Sequence, residues 1–182
     1  MKSIALLFVT IVLLNAAANA QNPASKKIYC DKSNSTITYD MNHPLHEWTG
    51  VSKEVTSIII TDENRDIISQ VAVSVKFSSF DSKNANRDSH AIEVAEAIKY
   101  PNITFNSKSI KQEGNKLSVE GTLNFHGVNK DIAFVAEKSG DKNKIQVTGG
   151  FEIKMTDFKI DPPSLMAIAT DDEIKIKFSI VY

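Results

Sequence analysis

Val71-Ala72-Val73-Ser74-Val75-Lys76-Phe77-Ser78, then Phe80-Asp81-Ser82-Lys83-Asn84-Ala85-Asn86-Arg87-Asp88-Ser89-His90, then Lys99-Tyr100-Pro101-Asn102-Ile103-Thr104-Phe105: this stretch decides the fold. Val71, Val73, Val75 and Phe77 alternate with small or polar residues, a period of two that places every large apolar group on one face of a strand. Ile103 and Phe105 resume the alternation on the far side. Between them Ala91, Val94, Ala95 and Ile98 recur at helical spacing, which predicts one short helix over about 87–98. Asn86 or Asp88 is placed to cap its start and Pro101 to stop it.

Outward from this centre, the chain alternates like sheet. Upstream, Gln21 to Lys27 reads as a loosely held polar leader and Ser35 to Met41 as a first strand, with Ile37, Tyr39 and Met41 on one side. His43-Pro44-Leu45-His46-Glu47-Trp48-Thr49-Gly50 reads as a bend bracketed by Pro44 and Gly50. Glu54 to Thr61 is a second strand, less regular because Ile58, Ile59 and Ile60 are consecutive. Downstream, turns at Glu113-Gly114-Asn115, His126 to Lys130 and Ser139 to Asn143 separate stripes carried by Leu117, Val119, Leu123 and Phe125, by Ile132, Phe134 and Ala136, and by Ile145 to Met155. A loop from Asp157 to Ser164 precedes the last stripe, Ile174, Ile176, Phe178 and Ile180. Eight or nine one-sided strands joined by short turns predict an all-β sandwich or closed barrel.

Composition narrows the function classes. Met1-Lys2-Ser3 followed by the apolar run Ile4 to Leu14 and the small-x-small triplet Ala18-Asn19-Ala20 reads as a signal peptide over residues 1–20, cleaved after Ala20. Residues 21–182 then form one domain in the periplasm or secreted beyond it, with no stable membrane insertion expected. The chain has 21 basic and 22 acidic residues; once Lys2 leaves with the leader, 20 face 22, a net charge of −2. Basic residues scattered among acids do not make the concentrated face that nucleic acid requires. A single cysteine, Cys30, cannot form an internal disulfide, so the core alone must hold the fold.

An eight-stranded barrel has an interior wide enough either to be filled by its own side chains or to hold one slender ligand. The apolar candidates for that interior are Tyr39, Trp48, Val75, Phe77, Phe80, Phe105 and Leu123, then Phe125, Phe134, Phe151, Ile153, Met155, Phe158 and Phe178. Core packing and a dry tunnel both suit these residues. Gly121 and Gly149, inside apolar stripes, favour the tunnel by withdrawing side chains from it, although tight bends would explain them equally. The central run, Lys99-Tyr100-Pro101-Asn102-Ile103-Thr104-Phe105, Gly121-Thr122-Leu123 with His126-Gly127-Val128-Asn129-Lys130, and Asp157-Phe158-Lys159-Ile160 together resemble the YceI-like family of bacterial polyisoprenoid-binding proteins. That resemblance, from about Ser35 to the end, implies an extended eight-stranded antiparallel lipocalin-like barrel enclosing a long apolar ligand, and export from the cytoplasm.

At the ligand's polar end the candidates are His43, Arg87, His90 and His126. Arg87 suits a phosphate or carboxylate, and the helix start beside it adds amide donors, while Asp88 is better placed to cap. His43 and His46, three apart across a proline, make a poor zinc signature, so no metal is expected. No Gly-x-Ser-x-Gly elbow and no glycine-rich phosphate loop is present. The expected function is therefore binding, not catalysis: carriage or storage of a long-chain isoprenoid or lipid, with no cofactor and with a homodimer left open. An enzyme acting on such a lipid, or an envelope protein with a filled barrel, are the alternatives.

Overall fold

The computed structural model describes residues 25–182. The leader, its cleavage after Ala20 and the first residues of the polar segment lie outside the described residues. In chain order the elements are β1 (Ser25–Tyr29), β2 (Thr36–His43), β3 (His46–Ser52), β4 (Val55–Asp62), β5 (Ile68–Lys76), α1 (Ala85–Val94), β6 (Asn102–Glu113), β7 (Lys116–Phe125), β8 (Val128–Asp141), β9 (Lys144–Lys154), β10 (Ser164–Leu165), β11 (Ile168–Ala169) and β12 (Glu173–Val181). Ten of the strands form one antiparallel sheet in the order β1-β4-β5-β6-β7-β8-β9-β12-β2-β3, and β10 and β11 make a separate small hairpin.

Connectivity forces this sheet to roll up. β3 lies at one end of the order and β4 near the other, yet only Lys53 and Glu54 separate them in the chain. From Ser52 to Val55 an extended backbone reaches no more than roughly 11 Å, so the two ends of the sheet stand side by side. Reciprocal bonds between Val51 and Asp81 (3.0 and 3.1 Å) lace the seam, and Ser52 Oγ lies 2.6 Å from Ser79 Oγ. On the other side the chain crosses from β1, beside β4, to β2, beside β12. Asp31 N–H donates to the Val181 carbonyl at 2.7 Å, and Val181 N–H donates to Ser35 Oγ at 3.1 Å. The result is an all-β, lipocalin-like antiparallel barrel with one short helix, built from ten strands where eight were expected.

The period-two stripes face inward as expected. In β7, for example, Leu117, Val119, Leu123 and Phe125 are buried while Lys116, Ser118 and Glu120 are exposed. The three consecutive isoleucines of β4 are resolved by pairing: Ile59 is 1 % exposed on the inner face, while Ile58 and Ile60 point outward and pair with Tyr29 and Lys27 of β1.

Four expectations change. The polar segment before Lys27 is not all loose, because Ser25–Tyr29 pairs with Ile58 to Asp62 as an edge strand. The segment from His43 to Gly50 is a tight hairpin between β2 and β3, with Trp48 and Gly50 inside β3, not a bend between strands. The helix runs over Ala85–Val94 and its cap is Asn84, whose side chain accepts from Arg87 N–H at 3.1 Å. Asp88 does not cap it: its carboxylate receives the Ser82 N–H instead, and Glu96, in the left-handed region at φ 43°, turns the chain out well before Pro101. Last, Gly121 and Gly149 do not leave gaps in the lumen. The Phe105 ring lies over Gly121 and the Phe178 ring over Gly149, where a Cβ would come within 2.6 Å of Phe178 Cζ. These glycines are seats that let aromatic rings lie back against the wall. Gly121→Ala should therefore lower stability by about 1–3 kcal/mol in urea unfolding, because the added methyl overlaps the Phe105 ring and the Asn106 carbonyl.

Candidate functional site

The barrel is hollow. A cavity of about 600 Å³ runs between the inner faces of the strands, within the ~300–1,000 Å³ typical of sites that take up a small organic ligand. Phe134 of β8 is the hub of one wall: its ring lies 5.4 Å from Phe105, 5.1 Å from Phe151 and 5.7 Å from Phe178, on three neighbouring strands or their partners. A second aromatic row crosses the other end, from Tyr39 to Phe80 (5.4 Å), Phe80 to Phe77 (6.4 Å) and Phe77 to Phe125 (5.9 Å). At the floor, Tyr182 packs into the cavity with its hydroxyl 2.6 Å from Ser57 Oγ, and burial pushes its phenol well above the ordinary range.

Every apolar residue expected to face the interior lines this cavity except Phe158. Phe158 is 1 % exposed, but it sits in a turn after β9 and packs behind Phe125, ring to ring at 5.4 Å, as solid core. Lining residues not singled out from sequence include Ile68, Ile110, Val147, Ile174 and Tyr182. Ile174 was legible in its stripe. Ile110 was not, because a bulge between Ser107 and Ser109 shifts β6 by one residue and turns the next apolar side chain inward.

Apart from the Tyr182 hydroxyl at the floor, most of the polar lining gathers at one end. Among the cavity's lining residues, the exposed ones are His46, Asn84, Asn86, His90, Ser164 and Leu165. They mark a mouth between the first turns of α1, the β2–β3 tip and the β10–β11 hairpin. Arg87 is half-buried here, its guanidinium 5.3 Å from the centre of the Trp48 ring, with Nε donating to Ser82 Oγ at 2.8 Å and an Nη to the Ser82 carbonyl at 2.9 Å. Some of its donors are thus taken up in fixing the rim. Tyr39 also faces the cavity; burial, with the Asp88 charge added, raises its phenol above the usual range and keeps it a neutral hydroxyl.

The histidines are divided: His43, His46 and His90 line the cavity, the rings of the first two 5.4 Å apart, while His126 lies elsewhere. His43 is 2 % exposed, with Nε2 3.0 Å from the Ile168 carbonyl and Nδ1 accepting the Leu45 N–H at 3.2 Å, so both nitrogens are held by backbone. His90 stands at the mouth with Glu93 3.7 Å away. His126, expected at the ligand's polar end, is not at the cavity. It lies under Tyr100, with Nδ1 2.9 Å from the Phe158 carbonyl and Nε2 3.1 Å from Glu96, clamping the end of the helix to the segment after β9. Its strand-end position in a two-residue turn, at φ 51°, decides this, and the spacing of residues along the chain does not reveal it. Among the described residues no group of three histidine, cysteine, aspartate or glutamate side chains is gathered to hold a metal ion, and every buried side-chain polar atom has a partner. The walls between mouth and floor are lined by aliphatic and aromatic side chains. What the lumen can do chemically is take an apolar chain out of water.

A family model, the YceI-like domain, matches residues 29–182. The YceI proteins of Escherichia coli O157:H7 and of Salmonella newport are each 29% identical to the chain over 164 residues, covering 85% of it and 86% of the relative. Among solved structures, BcnA of Burkholderia cenocepacia aligns with a TM-score of 0.75 at 20% identity, covering 84% of this chain and 99% of that one. A polyisoprenoid-binding domain from Saccharophagus degradans, implicated in plant cell wall breakdown, aligns at 0.70 and 15% identity over 86% and 98% of the two chains. At these identities the likeness to solved structures is one of fold.

Proposed function

The chain belongs to the YceI-like domain family, and from that premise we propose that it is an exported carrier holding a long-chain isoprenoid or related lipid in the barrel lumen. The observation that carries this reading is the cavity itself: apolar along its walls, with most of its polar lining gathered at the mouth. The polyisoprenoid-binding domain with the same fold supports the ligand class, and the leader at residues 1–20 supports release into the periplasm or beyond. Burial of about 500 Å² of apolar ligand surface contributes roughly 12 kcal/mol at ~25 cal/mol per Å², and after an association cost of ~4 kcal/mol this corresponds to micromolar affinity without one polar contact. The ligand's polar end then sits at the mouth, where Asn84, Asn86, Arg87 and His90 face it.

Organic extraction of the purified protein followed by mass spectrometry should recover about one lipid per chain, and an emptied protein should take up a fluorescent long-chain prenol in titration. A protein that yields no lipid and binds no prenol overturns the proposal. Turnover of the prenol, abolished by replacing His90, would point to the enzyme reading instead.

A further inference from the structure

The mouth carries more exposed apolar surface than a closed reservoir needs. Leu45 is 59% exposed, Leu165 47%, Met166 81% and Ile168 41%, and all four lie on two adjoining tips, the β2–β3 turn and the β10–β11 hairpin. The tips are fastened to each other. His43 Nε2 bonds the Ile168 carbonyl at 3.0 Å, Asn42 Nδ2 donates to the Asp171 carboxylate at 2.8 Å, and Asp171 N–H donates to the Asn42 carbonyl at 3.0 Å.

Two features mark the β10–β11 tip as shaped for something other than stability. Its two-residue turn holds Met166 at φ 53° and Ala167 at φ 62°, left-handed positions normally given to Asn and Gly. A strained turn that also presents methionine to solvent is unfavourable twice over in the isolated molecule. In addition, the run from Pro162 to Thr170 contains no charged residue, and neither does His43 to His46 apart from its histidines; the nearest charges in sequence are the acids Glu47, Asp161, Asp171 and Asp172. Leu165 belongs both to this exposed patch and to the cavity lining, so on the side of the β10–β11 hairpin the patch reaches the lumen directly.

We propose that these two tips are a bilayer-docking rim, which seats the mouth on a lipid surface so that the ligand passes between membrane and lumen without crossing water. The inference rests on the carrier reading. A water-insoluble chain has a membrane as its source, and a rim continuous with the lumen brings the two apolar phases into contact. With acids flanking an uncharged tip, the attraction is apolar and not electrostatic, so docking is to the hydrocarbon of the bilayer irrespective of headgroup charge and survives high salt.

The test measures transfer of a fluorescent long-chain prenol by the full chain between phosphatidylcholine vesicles. Docking predicts that the transfer rate rises with acceptor vesicle concentration, that salt leaves it unchanged, and that the protein cosediments with the vesicles. Leu45→Asp with Met166→Asp, neither residue lining the cavity, should slow transfer roughly tenfold or more while the prenol still binds in solution. A second variant guards against misfolding: Met166→Asn with Ala167→Gly relaxes the turn, so it should unfold at no lower temperature than the wild type yet also transfer more slowly. A rate independent of vesicle concentration, or variants that transfer as fast as the wild type, overturns the docking rim while leaving the carrier reading intact. Loss of a dimer in sedimentation, with vesicle binding unchanged, overturns it in favour of a second copy of the chain. A wild type that takes up no prenol removes the carrier reading and this proposal with it.

Discussion

Phe151→Asp is expected to empty the barrel. Phe151 stacks on Phe134 at 5.1 Å, lines the cavity, and pairs across β12 with Ile176, another lining residue. The wall around it, on β8, β9 and β12, is aliphatic and aromatic, and the charges of β9, such as Glu152 and Lys154, lie on the outer face. A carboxylate placed there has no cation beside it. Water reaching it through the mouth hydrates it, and an apolar chain that enters must strip that water away. Burying an unpaired charge carries a penalty of several kcal/mol, and ~3 kcal/mol already reduces occupancy more than a hundredfold. Lipid recovered by extraction should fall below detection, while the far-UV circular dichroism stays that of a β-protein because the lumen can admit water. Phe151→Leu, which keeps the wall apolar, should retain the lipid. Retention at wild-type stoichiometry by Phe151→Asp would mean that the ligand, if any, is held elsewhere.

The second large effect separates core from lumen. Phe158 is enclosed on all sides at 1 % exposure, so Phe158→Ala should remove about 3–5 kcal/mol, a large share of the ~5–15 kcal/mol by which such folds are stable. Phe151 has one face toward the cavity and fewer atoms against it, and a side chain without neighbours on one side has already forfeited those contacts. Phe151→Ala should therefore be about half as destabilising, although the residue removed is the same. Urea unfolding of the two variants in the emptied protein measures the difference. Equal losses would mean that Phe151 is as tightly enclosed as Phe158 and that the barrel is solid.

The inner wall was readable from sequence because a closed barrel imposes one inward face on every strand, and Val71, Val73 and Val75, or Leu117 to Phe125, report it by alternation alone. The same periodicity fails where the backbone breaks register, as at the bulge that brings Ile110 inside. It fails also where a strand is too short and too polar to show a period, as in Ser25–Tyr29, where only Ile28 packs against the core and the assignment depends on a partner far away in the chain. The mouth was less legible still. Arg87 and His90 come to it with the helix start and His43 with the β2–β3 tip, but His126, no less polar, is drawn off by Glu96 and the Phe158 carbonyl. Which turns gather at one end of a barrel is a property of topology, and no local pattern carries it.

The place of β12 in the sheet has a consequence for how the molecule comes into being. The last strand lies between β9 and β2, with Phe178 opposite Ile37 on one side and Gly149 on the other. The meander from β4 to β9 can form by local pairing, but the β2–β3 hairpin has no ladder partner in the sheet until β12 is in place. Sealing therefore waits for β12 and joins segments distant in sequence, which makes for slow maturation. A variant lacking Glu173–Val181 should remain an unsealed trough, with its greasy lining open to proteases.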